Sequence, residues 1–345
     1  MQFIKSDINI DFIGKRKIAF TASLVLIIAS IISLIIHQGP RLGVDFEGGS
    51  SLQIKFQNHV ELNDIKKGLE PLGLEKSSTQ RFGAKQENEF QIRTSASFMN
   101  DEDFQNKFKE SMKNTTGQEP EIMSTDMVGP QVSKDLRGKA LFAIFYSLLF
   151  ITIYISGRFE MKWMISAVMT GVLMTVVYLL SMFNVSIPIL IIVALMIALI
   201  LCWYLELKYA MGAIVALIHD VTITVGLFSI FDLEFNLPII AAILTIIGYS
   251  LNDTIIVFDR IRENLKKNSR KPLQDNINRS INETLSRTIL TSLTTLFVVV
   301  ALFLLGGATI HDFSFALLVG IAVGTYSSIY VASPILIAWQ EFGRS

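Results

Sequence analysis

Hydrophobic and polar positions along this chain alternate in long blocks, not in short periods. Apolar runs occupy residues 18–36, 140–155, 163–183, 187–205, 209–231, 237–258, 288–305 and 313–339. A helix needs about 17–25 mostly apolar residues to cross a bilayer. The pattern therefore predicts eight membrane helices, of which the second and seventh are short. Lys and Arg set the orientation. Lys5, Lys15, Arg16 and Lys17 hold the N-terminus in the cytoplasm, and the gaps at 157–162, 206–208 and 259–287 then fall inside. The last gap alone carries Arg260, Arg262, Lys266, Lys267, Arg270, Lys271, Arg279 and Arg287. The gaps at 184–186, 232–236 and 306–312 fall outside and hold no Lys or Arg. Both termini are expected in the cytoplasm.

One long polar block, residues 37–138, separates the first two runs and is expected to be exported. Its periodicity predicts strand 50–56, helix 62–69, strand 77–82, strand 90–93, helix 103–113 and strand 121–127, with Pro71-Leu-Gly73 and Thr116-Gly117 as punctuation. A β-α-β-β-α-β order is the ferredoxin-like motif. The expected fold is an α-helical polytopic membrane protein with one exported α+β domain. Its parts are the N-terminus and first helix (1–36), the domain (37–138) and a bundle (139–345) with a cytoplasmic loop at 259–287. The first run follows Lys15-Arg16-Lys17 as a signal peptide would. It is too long for a typical signal core, and His37-Gln-Gly-Pro40 offers no small-x-small cleavage site, so an uncleaved anchor is expected.

Composition narrows the function. Charged residues make up 17% of the 345, against about 25% in an ordinary soluble domain. The net charge is zero, which argues against nucleic-acid binding. Cys202 is the sole cysteine, so no intrachain disulfide can form. His59 lies in an expected turn as a solvated residue, and no nucleotide loop, metal cluster or nucleophile–base pair stands out.

What stands out is charge inside apolar runs. A carboxylate at the centre of a membrane helix costs about 2.5–3.5 kcal/mol on insertion scales and is a functional hypothesis by default. Asn252 and Asp253 interrupt the sixth run, and His219 and Asp220 the fifth. Asp220 shares a helix face with Gly212, Ala216 and Thr224, whereas Asp253 shares one with Tyr249, Val257 and Arg260. Arg287, Thr291 and Thr295 form a polar stripe on the seventh, beside Thr288 and Ser292. Ala316, Gly320, Gly324, Ser328 and Ala332 make small-xxx-small steps on the eighth, suited to close helix packing. The expectation is a tight bundle with His219, Asp220, Asp253 and Arg287 turned inward. An Asp that moves between an apolar site and an arginine can carry a proton; each of these residues can also serve packing alone. A further echo links Glu160-Met-Lys-Trp163 with Glu206-Leu-Lys-Tyr209, each starting a helix from the cytoplasmic side.

Five stretches stand out together: Arg41-Leu-Gly-Val-Asp-Phe-Glu-Gly-Gly49, Ile218-His-Asp-Val-Thr-Ile-Thr-Val-Gly226, the stretch from Ile247 to Asn264 around Asn252-Asp253, Thr284-Leu-Ser-Arg-Thr-Ile-Leu-Thr-Ser292 and Gly324-Thr-Tyr-Ser-Ser-Ile-Tyr-Val-Ala-Ser333. In these the chain resembles the SecF family of protein-translocase subunits, part of the SecD/SecF group related to the proton-driven RND export superfamily. The resemblance implies a stand-alone subunit of the bacterial cytoplasmic (inner) membrane. That subunit would work with SecD beside the SecYEG channel, with YidC and YajC as further partners, on a translocating polypeptide. The proton gradient would supply the energy, without a cofactor. The family's proton-pathway aspartate falls on Asp253 and its essential arginine on Arg287, and its signature after the first helix falls on Asp45, Glu47, Gly48 and Gly49. One departure is clear: the family has six membrane helices, and residues 163–205 add a helical hairpin after the second. A proton-coupled exporter of small molecules or lipids is the alternative. An intramembrane aspartyl protease using Asp220 and Asp253 is a remote third, since Tyr249-Ser-Leu-Asn-Asp253 stands where such a protease carries Gly-x-Gly-Asp.

Overall fold

A computed structural model describes residues 9–75, 77–82, 88–94, 102–181 and 187–342. Helix α1 (Arg16–Ile36) and a one-turn helix α2 (Val44–Glu47) lead into the polar block. There follow β1 (Gly49–Lys55), α3 (Leu62–Leu69), β2 (Ser78–Phe82), β3 (Glu89–Thr94), α4 (Glu102–Thr116) and β4 (Glu121–Val128), in the order the periodicity predicts. The sheet runs β2-β3-β1-β4 with antiparallel neighbours, Leu52 opposite Ile92 and Ile54 opposite Phe90. Leu52 and Ile54 lie two apart, so both point to one face. There they meet Phe90, Ile92, Ile65, Leu69, Phe108 and Met112 in a closed core of its own. His59 is exposed beside Arg81 and Glu61.

The bundle comprises α5 (Pro130–Ile155), α6 (Trp163–Ser181), α7 (Ile187–Tyr204), α8 (Lys208–Ile230), α9 (Leu237–Lys267), α10 (Leu273–Leu305), α11 (Ala308–Ser327) and α12 (Ser333–Phe342). Among the described residues six stretches are long and apolar enough to cross a membrane: α1, α5, α8, α9, α10 and α11 continued by α12. The described parts of α6 and α7 are shorter apolar helices. The outer turn expected at 184–186 lies outside the described residues.

Two expectations about element limits are corrected. The segment 259–287 is not a loop: α9 runs on to Lys267 and α10 already begins at Leu273. Part of its charge is paired along and between the helices, which favours helix over loop. Arg260 pairs with Glu263 at 2.6 Å and Lys267 with Glu263 at 2.6 Å along α9, and Arg279 with Glu283 at 2.8 Å along α10. Between the helices, Arg260 reaches Glu283 at 2.5 Å, and Asn264 Nδ2 donates to Ser280 Oγ at 3.0 Å. The last membrane stretch, in turn, is not one α-helix. A π-helical turn, Ser328–Ala332, separates α11 from α12, and a second, Ser156–Glu160, ends α5.

The hairpin α6–α7 leaves and rejoins the bundle at a single point. Lys162 Nζ donates to the carbonyls of Leu205 (2.8 Å) and Glu206 (3.5 Å) beyond the end of α7. Glu160 accepts the N–H of Tyr209 at 2.9 Å, in the first turn of α8. The first tetrapeptide thus clasps the second, Lys162 at the end of α7 and Glu160 at the start of α8, and the hairpin's entry and exit lie side by side.

Candidate functional site

The close approach of α9 and α11 builds the middle of the bundle. A Cβ on Gly320 would lie 2.3 Å from Ile246 Cδ1, and one on Gly324 2.8 Å from Ser250 Cβ, so only glycine lets the helices meet there. That contact brings the polar positions of α8, α9, α10 and α11 together. Ser328, also on the small-residue face, opens the π-turn and donates to the Thr325 carbonyl at 2.9 Å.

Asp220 is fully buried and well supplied with donors. Its Oδ2 accepts from Ser250 Oγ at 2.6 Å and from Ser327 Oγ at 2.8 Å, and its Oδ1 faces His219 Nδ1 at 2.9 Å. His219 Nε2 continues to Ser23 Oγ on α1 at 3.0 Å, and Ser23 Oγ to the Tyr326 hydroxyl at 3.1 Å. The hydroxyl of Tyr326 donates to the carbonyl of Ala19 at 2.7 Å. The contacts form one continuous polar chain from Asp220 on α8 through His219 to Ser23 on α1 and Tyr326 on α11.

Asp253 is 1% exposed and less generously supplied. Ser292 Oγ on α10 donates toward its Oδ2 at 3.3 Å, yet lies closer, at 2.7 Å, to Thr325 Oγ1. Thr325 commits its own hydrogen to the carbonyl of Ile321 at 2.8 Å. Ser292 therefore has one hydrogen for two neighbours, and a proton on Asp253 would fill the missing bond. Thr288, one turn before Ser292 on the same face, has a buried Oγ1 without a hydrogen-bond partner among the described residues. Asp220 and Asp253 share no hydrogen bond among the described residues, which removes the geometry of a proton-sharing protease dyad.

Two expected members of the site do not turn inward. Arg287 and Asn252 are both exposed on the outer surface of the bundle, and among the described residues neither side chain makes a hydrogen bond or ion pair. The reason is geometric: successive residues are about 100° apart around a helix, so Asp253 and Asn252 cannot both face the core. Arg260, a second cation expected near Asp253, is engaged by Glu263 and Glu283 instead. Sequence reasoning placed Ser292 beside the α10 polar stripe and missed Ser23, Thr325, Tyr326 and Ser327 as site members. A signal for the first existed: Ser23, Ser30 and Ser33 repeat at helical spacing along α1 and are all buried.

The signature after α1 lies at the junction of domain and bundle. Gly48 and Gly49 take φ of 80° and 108°, where a side chain would be strained. Glu47 is exposed, whereas Asp45 Oδ2 accepts the N–H of Leu237, the first residue of α9, at 2.9 Å.

Comparison with known proteins agrees with this architecture. The family "Protein export membrane protein SecD/SecF, C-terminal" matches residues 107–199 and 182–342, and the "SecD/SecF GG Motif" matches residues 33–58. A protein translocase subunit SecF of Magnetococcus marinus is 39% identical over 346 residues, covering 100% of this chain and 96% of the relative. One from Vibrio alginolyticus is 38% identical, covering 96% and 90%. The crystal structure of a Thermus SecDF, a translocon-associated membrane protein, superposes with a TM-score of 0.77 at 30% identity. SecDF in a super-membrane-facing form gives 0.63 at 31%. Each superposition covers 98% of this chain but 40% of the SecDF chain, so the present chain spans about two fifths of SecDF. By sequence, signature and fold, the chain belongs to the SecF family of protein translocase subunits.

Proposed function

We infer that the chain is an auxiliary subunit of the Sec protein-export machinery that works with SecD and uses the proton motive force to promote late translocation of exported polypeptides. The hydrogen-poor contact at Asp253 carries this reading: a buried carboxyl with room for one proton, flanked by the outward-facing Arg287. A guanidinium on a membrane-facing surface needs a cover, and a second subunit packed over Arg287 and Asn252 would complete the site. Asp253 would take up a proton when that surface is closed and release it when Arg287 swings closer. The Asp220–His219 chain would relay protons or hold α1, α8, α9 and α11 in register. Gly320, Gly324 and Ser328 would serve packing.

In this reading the six long helices and the shorter pair give eight passes. Both termini are cytoplasmic, and the α+β unit, ferredoxin-like in strand order, is exported. Moving one charge through 100 mV releases about 2.3 kcal/mol, so a few protons suffice for a domain swing. SecYEG supplies the channel, YidC and YajC are further partners, and no cofactor takes part. The test is Asp253→Asn in cells, followed by export of a secreted reporter at low temperature. Strong loss of export at normal membrane abundance is expected; wild-type export would overturn the reading.

A further inference from the structure

Residues 41–45 do more than join α1 to the domain. They run beside the connection between α8 and α9: Phe235 donates its N–H to the Arg41 carbonyl at 2.7 Å, and Gly43 donates to the Phe235 carbonyl at 2.8 Å. Leu42 and Phe235 form a parallel bridge. Side chains reinforce the contact on both sides. Arg41 pairs with Asp232 at 2.8 Å and donates to Ser78 of β2 at 2.7 Å. Arg93 of β3 pairs with Glu234, both largely buried. The approach is close: a Cβ on Gly43 would sit 2.7 Å from Glu234 Oε1 and displace that carboxylate.

At the end of this seam stands the start of α9. The first N–H groups of a helix have no intrahelical acceptor and carry partial positive charge. Asn236 Oδ1 accepts the N–H of Ile239 at 3.3 Å, and Asp45, from a different part of the chain, accepts that of Leu237 at 2.9 Å. The helix is continuous from Leu237 to Lys267 and carries Asp253 sixteen residues on. At 1.5 Å per residue that is about 24 Å below the cap.

We propose that Asp45 is a positioning residue that fastens the α+β domain to α9, so that movement of the domain shifts the helix bearing Asp253. The domain is then tied to the bundle by more than the Arg93–Glu234 and Arg41–Asp232 pairs. It is joined covalently to α1 and α5, and through Asp45 to the helix whose carboxyl holds the proton. This rests on the reading of Asp253 above and adds the part that converts its protonation into domain movement.

The test uses membrane vesicles containing the full chain, its partner subunit and the channel, and reads preprotein export and proton flux separately. Asp45→Ala is expected to lower export about fivefold, the factor a lost helix cap supplies, and to leave the Asp253-dependent flux in place. Asp45→Asn keeps a carbonyl acceptor and is expected to stay within about twofold of wild type. Wild-type export by Asp45→Ala, or loss of flux together with export, would overturn the proposal. Failure of the underlying reading looks different: Asp253→Asn would then leave flux and export intact. If Asp45→Ala does not accumulate, Arg41→Asp and Asp232→Arg test the same seam. Each alone should lose export and the double variant regain it; a double variant no better than the singles would count against the proposal.

Discussion

Asp220 and Asp253 are both buried carboxyls in one bundle, but their neighbours treat them differently. Asp220 has a partner for each oxygen, so Asp220→Ala strands the Ser250 hydroxyl and leaves Ser327 with the Gly324 carbonyl and His219 with Ser23. We expect it to lower thermal stability in detergent by about 3 kcal/mol, the scale for breaking a buried charged network. Asp253→Asn alters one long contact and is expected to leave stability within about 1 kcal/mol of wild type while abolishing function. Measuring both variants separates a packing carboxyl from a working one. At this scale the sequence was informative about identity and less so about direction. A carboxylate in an apolar run announces itself, which is how Asp220, His219 and Asp253 were found. Which side of α10 faces the bundle depends on the neighbouring helices, and so Arg287 was expected inside and lies outside.

Among the elements, α11 is the hub. Thr325 reaches Ser292, Tyr326 reaches Ser23, and Ser327 reaches Asp220, three consecutive residues serving three different helices. Consecutive side chains fan out by about 100° each, so one turn can do this only where neighbours crowd it on every side. Gly320→Val would drive a branched side chain into Ile246. The expected cost is about 1–3 kcal/mol, read as a lower melting temperature, with loss of function at the Asp253 site. The π-turn just beyond leaves one more residue than an α-helix would use. The small-residue spacing of α11 was visible in the sequence. The π-turn was not, because its hydrogen-bond register depends on how Ser333 Oγ finds the Ser328 carbonyl at 2.8 Å. The charged ends of α9 and α10 were legible only in part, as a helical extension over 259–263, for another reason: charged residues beyond it read as loop until their partners are known.

On the scale of the whole molecule, the seam between domain and bundle responds to pH. Burial raises Glu234 above the ordinary carboxylate range, and the neighbouring Arg93 only partly opposes this. Burial likewise lowers Arg93. The folded chain thus binds the Glu234 proton more tightly than the unfolded chain does. The stabilisation this brings is complete below the unfolded value of about 4.3 and is lost as pH rises through the raised folded value. Melting curves across that range should show stability falling with pH in the wild type, and the slope should diminish in Glu234→Gln; equal slopes would exclude Glu234 as the source. The layout that frames this seam was legible early. Apolar blocks located the bundle, and strand–helix alternation gave the order of the domain. The seam itself joins segments about two hundred residues apart, and nothing local in either of them points to the other.

The clasp that Lys162 and Glu160 make on residues 205–209 renders the α6–α7 hairpin detachable. Its entry and exit are neighbours, so a short turn could replace the residues between Lys162 and Glu206 without stretching the chain. In water such an excision would expose the apolar faces of Phe145, Leu149 and Ile214 at great cost. In a bilayer, acyl chains would take the hairpin's place against those faces, and the hydrophobic penalty would largely vanish. The trimmed chain should therefore still insert and fold, which can be measured by its abundance and melting in detergent. The same junction would accept a foreign helical pair of matching length, making it a natural docking port for grafted membrane segments.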